Sequence, residues 1–253
     1  TSNRRKLTGA DCEKFPLVQI LPLTEDRELA LLTNEPRALL VHTALLAPKT
    51  TRGTQGVQVM NIKPKYHLER LADVADTGIT NHADLNANLL PGYDFISDTF
   101  VSRDGNGRDA NPNDEGDWNP VAGECYSGSP VTNSSWHGTH VAGTVAAVTN
   151  NASGVAGTAF GAKVVPVRVL GRCGGYTSDI ADAITWASGG TVSGVPANAN
   201  PAEVINLSLG GGGTCSSTYQ TAINGAVGRG TTVVVAAGNS NTNVSSSVPA
   251  NCP

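Results

Sequence analysis

Apolar blocks and mixed blocks alternate along the chain from residue 71 onward, and they have different periods. Short runs rich in valine and isoleucine predict strands, whereas apolar residues spaced three and four apart predict helices. The predicted strands cover residues 71–75, 163–170, 203–207 and 231–237, and the predicted helices cover residues 178–188 and 217–227. Apolar strands that alternate with helices are typical of an α/β fold. The pattern therefore predicts a mainly parallel, twisted sheet with helices on both faces.

A further amphipathic helix is predicted to begin at His137. Val141, Val145 and Val148 recur at intervals of four and three residues, so we expect them to form its buried face. His137 lies in the first turn, just after small polar residues that can cap the helix. An imidazole held there can transfer protons near neutral pH. A single histidine on such a helix is more often structural, so its meaning depends on the other motifs.

Residues 1–70 differ in composition from residues 71–253, and we treat the two as separate segments. The first holds 11 of the 17 Lys and Arg residues and 7 of the 21 Asp and Glu residues, giving +4 against −8 for the remainder. Leu29–Leu32 and Ala38–Val41 are predicted to form short helices, and Val57–Ile62 a strand. The segment could be a helical part packed on the main domain, a prosegment remnant or a stretch foreign to the protein. The sequence leaves these alternatives open.

Polar residues with catalytic potential follow the predicted strands at their carboxyl ends. Asp76, the run Ser208-Leu209-Gly210 and Asn239 each come just after one of them. Open α/β sheets bind ligands at this edge, and His137, at a helix start, belongs to the same edge. An aspartate can orient an imidazole that takes a proton from a hydroxyl nucleophile, while an amide donates to the developing oxyanion. Asp76, His137 and Asn239 together therefore predict acyl-transfer chemistry.

Three short motifs resemble those of the subtilisin-like serine proteases. They are Asp76-Thr77-Gly78, His137-Gly138-Thr139-His140-Val141-Ala142-Gly143 and Ala236-Ala237-Gly238-Asn239, and they occur in the family's order. The resemblance covers residues 71–253 and is strongest to secreted bacterial members. It implies a serine endopeptidase that works through an Asp-His-Ser triad and a seryl acyl-enzyme. In that role Asp76 would orient His137, the general base and acid, and Asn239 would form the oxyanion hole.

The same resemblance implies where an extended protein or peptide substrate would bind. The implied substrate-contacting residues are mostly small, and they are Ser208, Leu209, Gly210, Gly174, Gly175, Ala236 and Gly238. The first three belong to a stretch similar to the family's substrate-binding strand and would pair with the peptide backbone. The next two would flank the peptide on its other side. Because the last two are small, we expect a roomy, apolar pocket for the side chain before the scissile bond.

The sequence departs from the family at the nucleophile. Its serine lies in a Gly-Thr-Ser-Met-Ala segment after the oxyanion asparagine, and residues 1–253 contain no such segment; the only methionine is Met60. We therefore expect the nucleophile beyond residue 253 and a catalytic domain whose C-terminal part is missing. The alternative is a catalytically incomplete module that holds peptides without cutting them. A third hypothesis is a metal-binding protein that uses His137 and His140, although no acidic third ligand has zinc spacing.

Calcium is the cofactor that the resemblance implies, because carboxylate, amide and carbonyl oxygens are its preferred ligands. One implied site joins an aspartate soon after the first motif to the loop after the histidine helix, and its residues are Asp84, Val148, Asn151, Ser153 and Val155. A second implied site uses Asp104, Asn106 and Asp109. The alternative for this second set is a solvated acidic loop.

Cysteines and charge limit the remaining possibilities. The five cysteines have no C-x-x-C spacing, which favours disulfides in a secreted, extracellular protein over zinc or thioredoxin-like sites. The family resemblance implies the pairs Cys125–Cys173 and Cys215–Cys252, which leaves Cys12. A net charge of −4 disfavours nucleic-acid binding, and no apolar run approaches the roughly 20 residues that cross a bilayer. We expect a monomer with no membrane partner.

Overall fold

The structure is a computed structural model that describes the backbone of residues 28–32, 38–42 and 70–253 and the side chains of residues 76–253. The chain divides into two compact units, Thr1–His67 and Leu68–Pro253. In the first unit, β1 (Glu28–Leu32) pairs antiparallel with β2 (Ala38–His42). The prediction of short helices at Leu29–Leu32 and Ala38–Val41 is therefore wrong. Apolar runs of this length are long enough for strands but too short to sustain a helix. The strand predicted at Val57–Ile62 lies outside the described residues.

The second unit is built on a five-stranded parallel sheet. Its strands are β3 (Arg70–Asp76), β4 (Tyr93–Asp94), β5 (Lys163–Arg168), β6 (Val204–Leu207) and β8 (Thr232–Val235). They lie in the order β4-β5-β3-β6-β8, and each neighbouring pair is parallel. A separate two-stranded antiparallel ribbon consists of β7 (Gly211–Gly212) and β9 (Ser247–Val248). Because the strands are parallel, the residues that follow β3, β6 and β8 emerge at one edge of the sheet.

Four helices accompany the sheet in the part of the chain that the structure describes. They are α1 (Thr99–Ser102), α2 (His137–Ala146), α3 (Thr177–Ala187) and α4 (Ser217–Gly228). Alternate residues of β5 belong to different cores. Val164 packs with residues of α2, whereas Val165 and Val167 pack with residues of α3 and α4. Since neighbouring strand residues point to opposite faces, helices cover both faces, which confirms the predicted fold. None of the described helices is long and apolar enough to cross a bilayer.

The buried face of α2 differs from the prediction. The helix ends at Ala146, so Val148 lies beyond it, and Val141 and Val145 are only half-buried. The buried positions are those of Gly138, Ala142 and Ala146. The reason is the close approach of α2 to the loop after β3. A Cβ atom on Gly138 would lie 2.2 Å from the carbonyl oxygen of Gly78, so small residues alone fit the contact.

Candidate active site

Asp76 and His137 are in direct contact where β3 ends and α2 begins. Nδ1 of His137 lies 2.7 Å from Oδ1 of Asp76 and 2.9 Å from Oδ2. Because a carboxylate accepts hydrogen bonds and does not donate them, Nδ1 is the protonated ring nitrogen. The other nitrogen, Nε2, is then free to accept a proton. The first two members of the predicted catalytic set are thus brought together.

The two partners differ in their contact with solvent. Asp76 is 1% exposed, whereas the side chain of His137 is 48% exposed. Burial raises the pKa of Asp76, and the hydrogen bonds from His137 and from the backbone N–H of Thr77 oppose that rise. The charge of the aspartate is therefore stabilised chiefly by the imidazole it orients. The imidazole itself remains accessible to a substrate.

The chain reaches His137 through a strained residue and a fixed serine. Trp136 caps α2 with a left-handed φ of 52°, and its side chain makes no capping bond. The backbone N–H of His137 instead donates to Oγ of Ser135 at 3.3 Å. Ser135 in turn donates from its N–H and its hydroxyl to the carboxylate of Asp117, at 2.6 and 2.8 Å. Asp117 therefore determines where the start of the helix lies.

A cleft of about 500 Å³ opens beside His137. It collects five of the predicted substrate-contacting residues, namely Ser208, Leu209, Gly210, Gly174 and Gly175. The first three lie between β6 and β7, outside either ladder, so their backbone is not committed to a sheet. Gly174, the first of the glycine pair, forms a short antiparallel bridge with Gly171. Both backbone segments line the cleft that contains the imidazole.

Ala236, Gly238 and Asn239 lie at the same edge of the sheet but not in the lining of that cleft. They follow β8, and the backbone N–H of Ala236 donates to the carbonyl of Leu207 at 3.0 Å, which ties the segment to the end of β6. All three residues are exposed. Their roles in the oxyanion hole and the specificity pocket remain predictions.

Other residues of the cleft were not anticipated from the sequence. Its apolar lining comes from Leu170, Ile180, Tyr219 and Val248. Leu170 follows β5, so the rule that selected the ends of the other strands could have found it. Tyr219 and Val248 lie on α4 and β9, far along the chain, and no local motif marks them. These four side chains give the cleft an apolar part, whereas the pocket predicted at Ala236 and Gly238 stays a prediction.

The sequence model of the subtilase family matches residues 71–253. The chain belongs to the subtilase family. The match covers the sheet, the Asp76–His137 pair and the cleft described above. Membership of this subtilase family accounts for the order in which aspartate, histidine and asparagine motifs follow one another.

Subtilases of bacterial origin are among its relatives. The chain is 68% identical over 220 residues to a protein named extracellular protease from Xanthomonas campestris pv. campestris, covering 83% of this chain and 38% of that protein. It is 55% identical over 187 residues to the extracellular basic protease of Dichelobacter nodosus, covering 72% and 31%. A solved structure of a protease from Pseudoalteromonas arctica matches with a TM-score of 0.71 and 64% identity, over 73% of this chain and 54% of that one. The chain thus spans less than two fifths of these two curated relatives.

Two disulfides join the segments around the subtilase cleft. Cys125 is bonded to Cys173, and Cys215 is bonded to Cys252. These are the pairs that the family resemblance implied, so that prediction is confirmed. Cys173 itself lines the cleft next to Gly174. Cys12 lies outside the described residues.

The first implied calcium site is a carboxylate wrapped by a loop. Asp84 is 2% exposed, and it accepts bonds from the Asn151 amide and, at 2.9 Å, from the backbone N–H of Val155. These bonds lower the pKa of Asp84. A Cβ atom on Gly154 would lie 2.0 Å from Oδ2, which shows how closely the loop approaches the carboxylate. Residues 148–156 line an open pocket of about 300 Å³.

The second implied calcium site has its carboxylates engaged with protein donors. Oδ2 of Asp104 lies 3.2 Å from the guanidinium of Arg168, which is 1% exposed. Oδ1 of the same residue accepts from the hydroxyl of Ser102 and the N–H of Asn106, at 2.7 and 3.2 Å. Asp109 accepts from the amide of Asn106 at 3.0 Å. Because Asp104 and Asp109 already accept from protein donors, and Arg168 places a cation beside Asp104, this set suits a calcium ion less well than the loop around Asp84, and the second site stays a prediction.

Proposed function

We propose that this chain carries the Asp–His pair and the peptide-binding cleft of a secreted serine endopeptidase. The observation that carries the proposal is the contact of His137 Nδ1 with both oxygens of the buried Asp76 carboxylate, beside an open cleft. That contact fixes the tautomer that a general base requires. The names of the relatives, extracellular protease and extracellular basic protease, support the same activity and secretion. The two disulfides also support an oxidising compartment.

The proposed reaction begins with proton transfer to Nε2 of His137. A serine hydroxyl gives up its proton there as its oxygen attacks the scissile carbonyl, and Asp76 stabilises the imidazolium that forms. The side-chain amide of Asn239 donates to the oxyanion. The imidazolium then returns the proton to the leaving amine, and water hydrolyses the acyl-enzyme by the same steps. Because the family's serine motif is absent from residues 1–253, we place the nucleophile beyond residue 253.

The proposed substrate is an unfolded or loop segment of a protein, bound in extended form. Two backbone segments, 208–210 and 174–175, line the cleft and can add a peptide strand between them. The apolar lining from Leu170, Ile180 and Tyr219 suits an apolar side chain of the substrate.

We further propose that the loop around Asp84 holds a structural calcium ion. The ligands would be the carboxylate of Asp84, the side-chain oxygen of Asn151 and the backbone carbonyls of Val148, Ser153 and Val155. When bound, the ion would supply a positive charge to a carboxylate that the described residues leave without an arginine or lysine partner. Its function would be to hold this loop in place after α2.

The experiment that tests the enzymatic proposal is labelling with a fluorophosphonate probe followed by intact mass measurement. We expect the protein from its natural source to gain one adduct on a serine beyond Pro253, and His137→Ala expressed in the same form to lose labelling. Thr221→Ala, an exposed change on α4, provides a control that should label normally. A protein that ends at Pro253, takes no label and still binds peptide would contradict the enzyme and leave a peptide-binding module.

A further inference from the structure

Thr77 links Asp76 to a buried acid that the catalytic mechanism does not use. Its hydroxyl accepts a hydrogen bond from the backbone N–H of Gly138 at 3.0 Å and donates one to Oδ2 of Asp114. Gly138 immediately follows His137 in the first turn of α2. The Thr77 hydroxyl therefore connects the backbone of Gly138, the residue after His137, to the carboxylate of Asp114.

Asp114 is held in place by its own bonds. It is 7% exposed, and its Oδ1 accepts from the backbone N–H of Gly116 at 2.8 Å. Its backbone N–H donates to the carbonyl of Ile79 at 2.9 Å, while the N–H of Ile79 donates to Pro112 at 3.0 Å. These reciprocal bonds fix the acid to the loop that follows Asp76. Burial raises the pKa of Asp114, and the bonds from Thr77 and Gly116 oppose that rise.

We propose that Asp114 is a positioning residue that acts through Thr77 to hold Asp76 against His137. The chain of contacts is short. The backbone N–H of Thr77 donates to Oδ1 of Asp76 at 2.9 Å, so a shift of the Thr77 backbone also moves a donor to the catalytic carboxylate. With its hydroxyl fixed between Asp114 and Gly138, Thr77 has one orientation, and Asp76 keeps both oxygens on Nδ1. The catalytic consequence rests on the proposed function, but the geometry does not.

The charges around this contact come from three parts of the chain. His137 faces Asp76 from α2, and Asp114 approaches it from the segment after α1. Arg168 on β5 donates from Nε to the carbonyl of Thr77 at 3.3 Å, and Asp117 lies near Asp114. Removing the charge of Asp114 thus changes the electrostatics as well as the geometry. A test must separate the two effects.

The test measures the tautomer of His137 by long-range proton–nitrogen NMR on the full-length protein, in buffer alkaline enough to keep imidazole neutral. The readout requires no nucleophile, so a failure of the fluorophosphonate experiment leaves it intact. Thr77→Val removes the hydroxyl without changing charge, and Thr77→Ser restores it. Asp114→Asn keeps the shape but cannot accept from both the Thr77 hydroxyl and the Gly116 N–H. Glu115→Gln removes the same charge from the exposed neighbouring residue.

We expect the ratio of Nδ1–H to Nε2–H tautomer to fall roughly fivefold in Thr77→Val and Asp114→Asn, which corresponds to about 1 kcal/mol. Thr77→Ser and Glu115→Gln should keep the wild-type ratio. Thermal unfolding of each variant shows that it is folded, and Asp114→Asn decides alone if Thr77→Val fails to fold. An unchanged ratio in Asp114→Asn, or an equal fall in Glu115→Gln, would overturn the proposal.

Discussion

Two acidic regions flank the Asp76–His137 pair, and their carboxylates are compensated differently. Around Asp84, a loop supplies neutral donors, the Asn151 amide and the N–H of Val155. Around Arg168, a buried guanidinium lies 2.6 Å from Asp94 and 3.2 Å from Asp104. The first region leaves a net negative charge that a cation can neutralise. In the second region the protein itself supplies a cation, which two carboxylates share.

The pKa values of Asp84 and Asp94, one from each region, shift in opposite directions. Neutral donors from Asn151 and Val155 lower the pKa of Asp84, so it stays ionised at neutral pH. Burial raises the pKa of Asp94 to about 7, even though Arg168 opposes the rise. An acidic residue near an active site can therefore be an ion ligand or part of a structural ion pair. Which of these roles the acidic residue has depends on the groups that contact it in the folded protein.

Loss of Arg168 should have the largest effect. Arg168→Met leaves Asp94 and Asp104 buried without their cation, and breaking a buried pair in this way costs about 3–5 kcal/mol. We expect that decrease in the free energy of unfolding, measured by urea denaturation near neutral pH. Arg229→Met is the matched control, because Arg229 is exposed and bonds to the Ser188 hydroxyl at 2.8 Å. A cost for Arg168→Met as small as that of the control would show that the cluster is not a structural ion pair.

The free energy of unfolding should depend on pH through the protonation of Asp94. Its folded pKa, about 7, lies above the ordinary value of 3.8, so the protonated form favours folding. The stabilisation is complete below about pH 4 and is lost as pH rises through about 7. The free energy of unfolding of the wild type minus that of Asp94→Asn should therefore fall by up to about 4 kcal/mol over this range. Urea titrations at several pH values measure it, and a difference that rises with pH would contradict the assignment.

Calcium should stabilise the Asp84 region alone. At a calcium concentration about 100 times the dissociation constant, binding to the folded state adds roughly 2.7 kcal/mol. We expect thermal unfolding of the wild type to shift upward with calcium relative to chelator, and Asp84→Asn to abolish the shift. Asp104→Asn is the matched control, and it should lower stability but keep the calcium response. A response that survives in Asp84→Asn but disappears in Asp104→Asn would reverse the comparison.

The sequence predicted the sheet and the Asp–His pair because both depend on local signals. Strands rich in valine, such as β5 and β8, are identified by composition, and the histidine motif is specific enough to locate His137. The short apolar runs near the N-terminus carry no such information, because periodicity alone does not distinguish a strand from a helix in so short a run. That ambiguity explains why β1 and β2 were predicted as helices.

The calcium ligands could not be separated by sequence, because the decisive partner is distant. Arg168 is 64 residues from Asp104 along the chain, and no spacing rule connects them. The role of Asp114 could not be predicted for the same reason, because Asp114 is 37 residues from Thr77 along the chain. On α2, a valine periodicity indicated the wrong face because glycine and alanine permit a closer contact than valine does. Side chains that interact over long separations therefore needed the structure.

The smallest decrease in stability should come from replacing Asp117, and this variant also tests whether the calcium response belongs to the Asp84 region. Asp117 accepts from both the N–H and the hydroxyl of Ser135, and Asp117→Asn can keep one of these bonds. Loss of one such bond costs about 1 kcal/mol of unfolding free energy, which urea denaturation resolves. The calcium response should be unchanged, because the Asp117 carboxylate is bonded to Ser135 before α2 and not to the loop after it. A calcium response that vanished in Asp117→Asn while Glu115→Gln retained it would place an ion in the acidic segment instead.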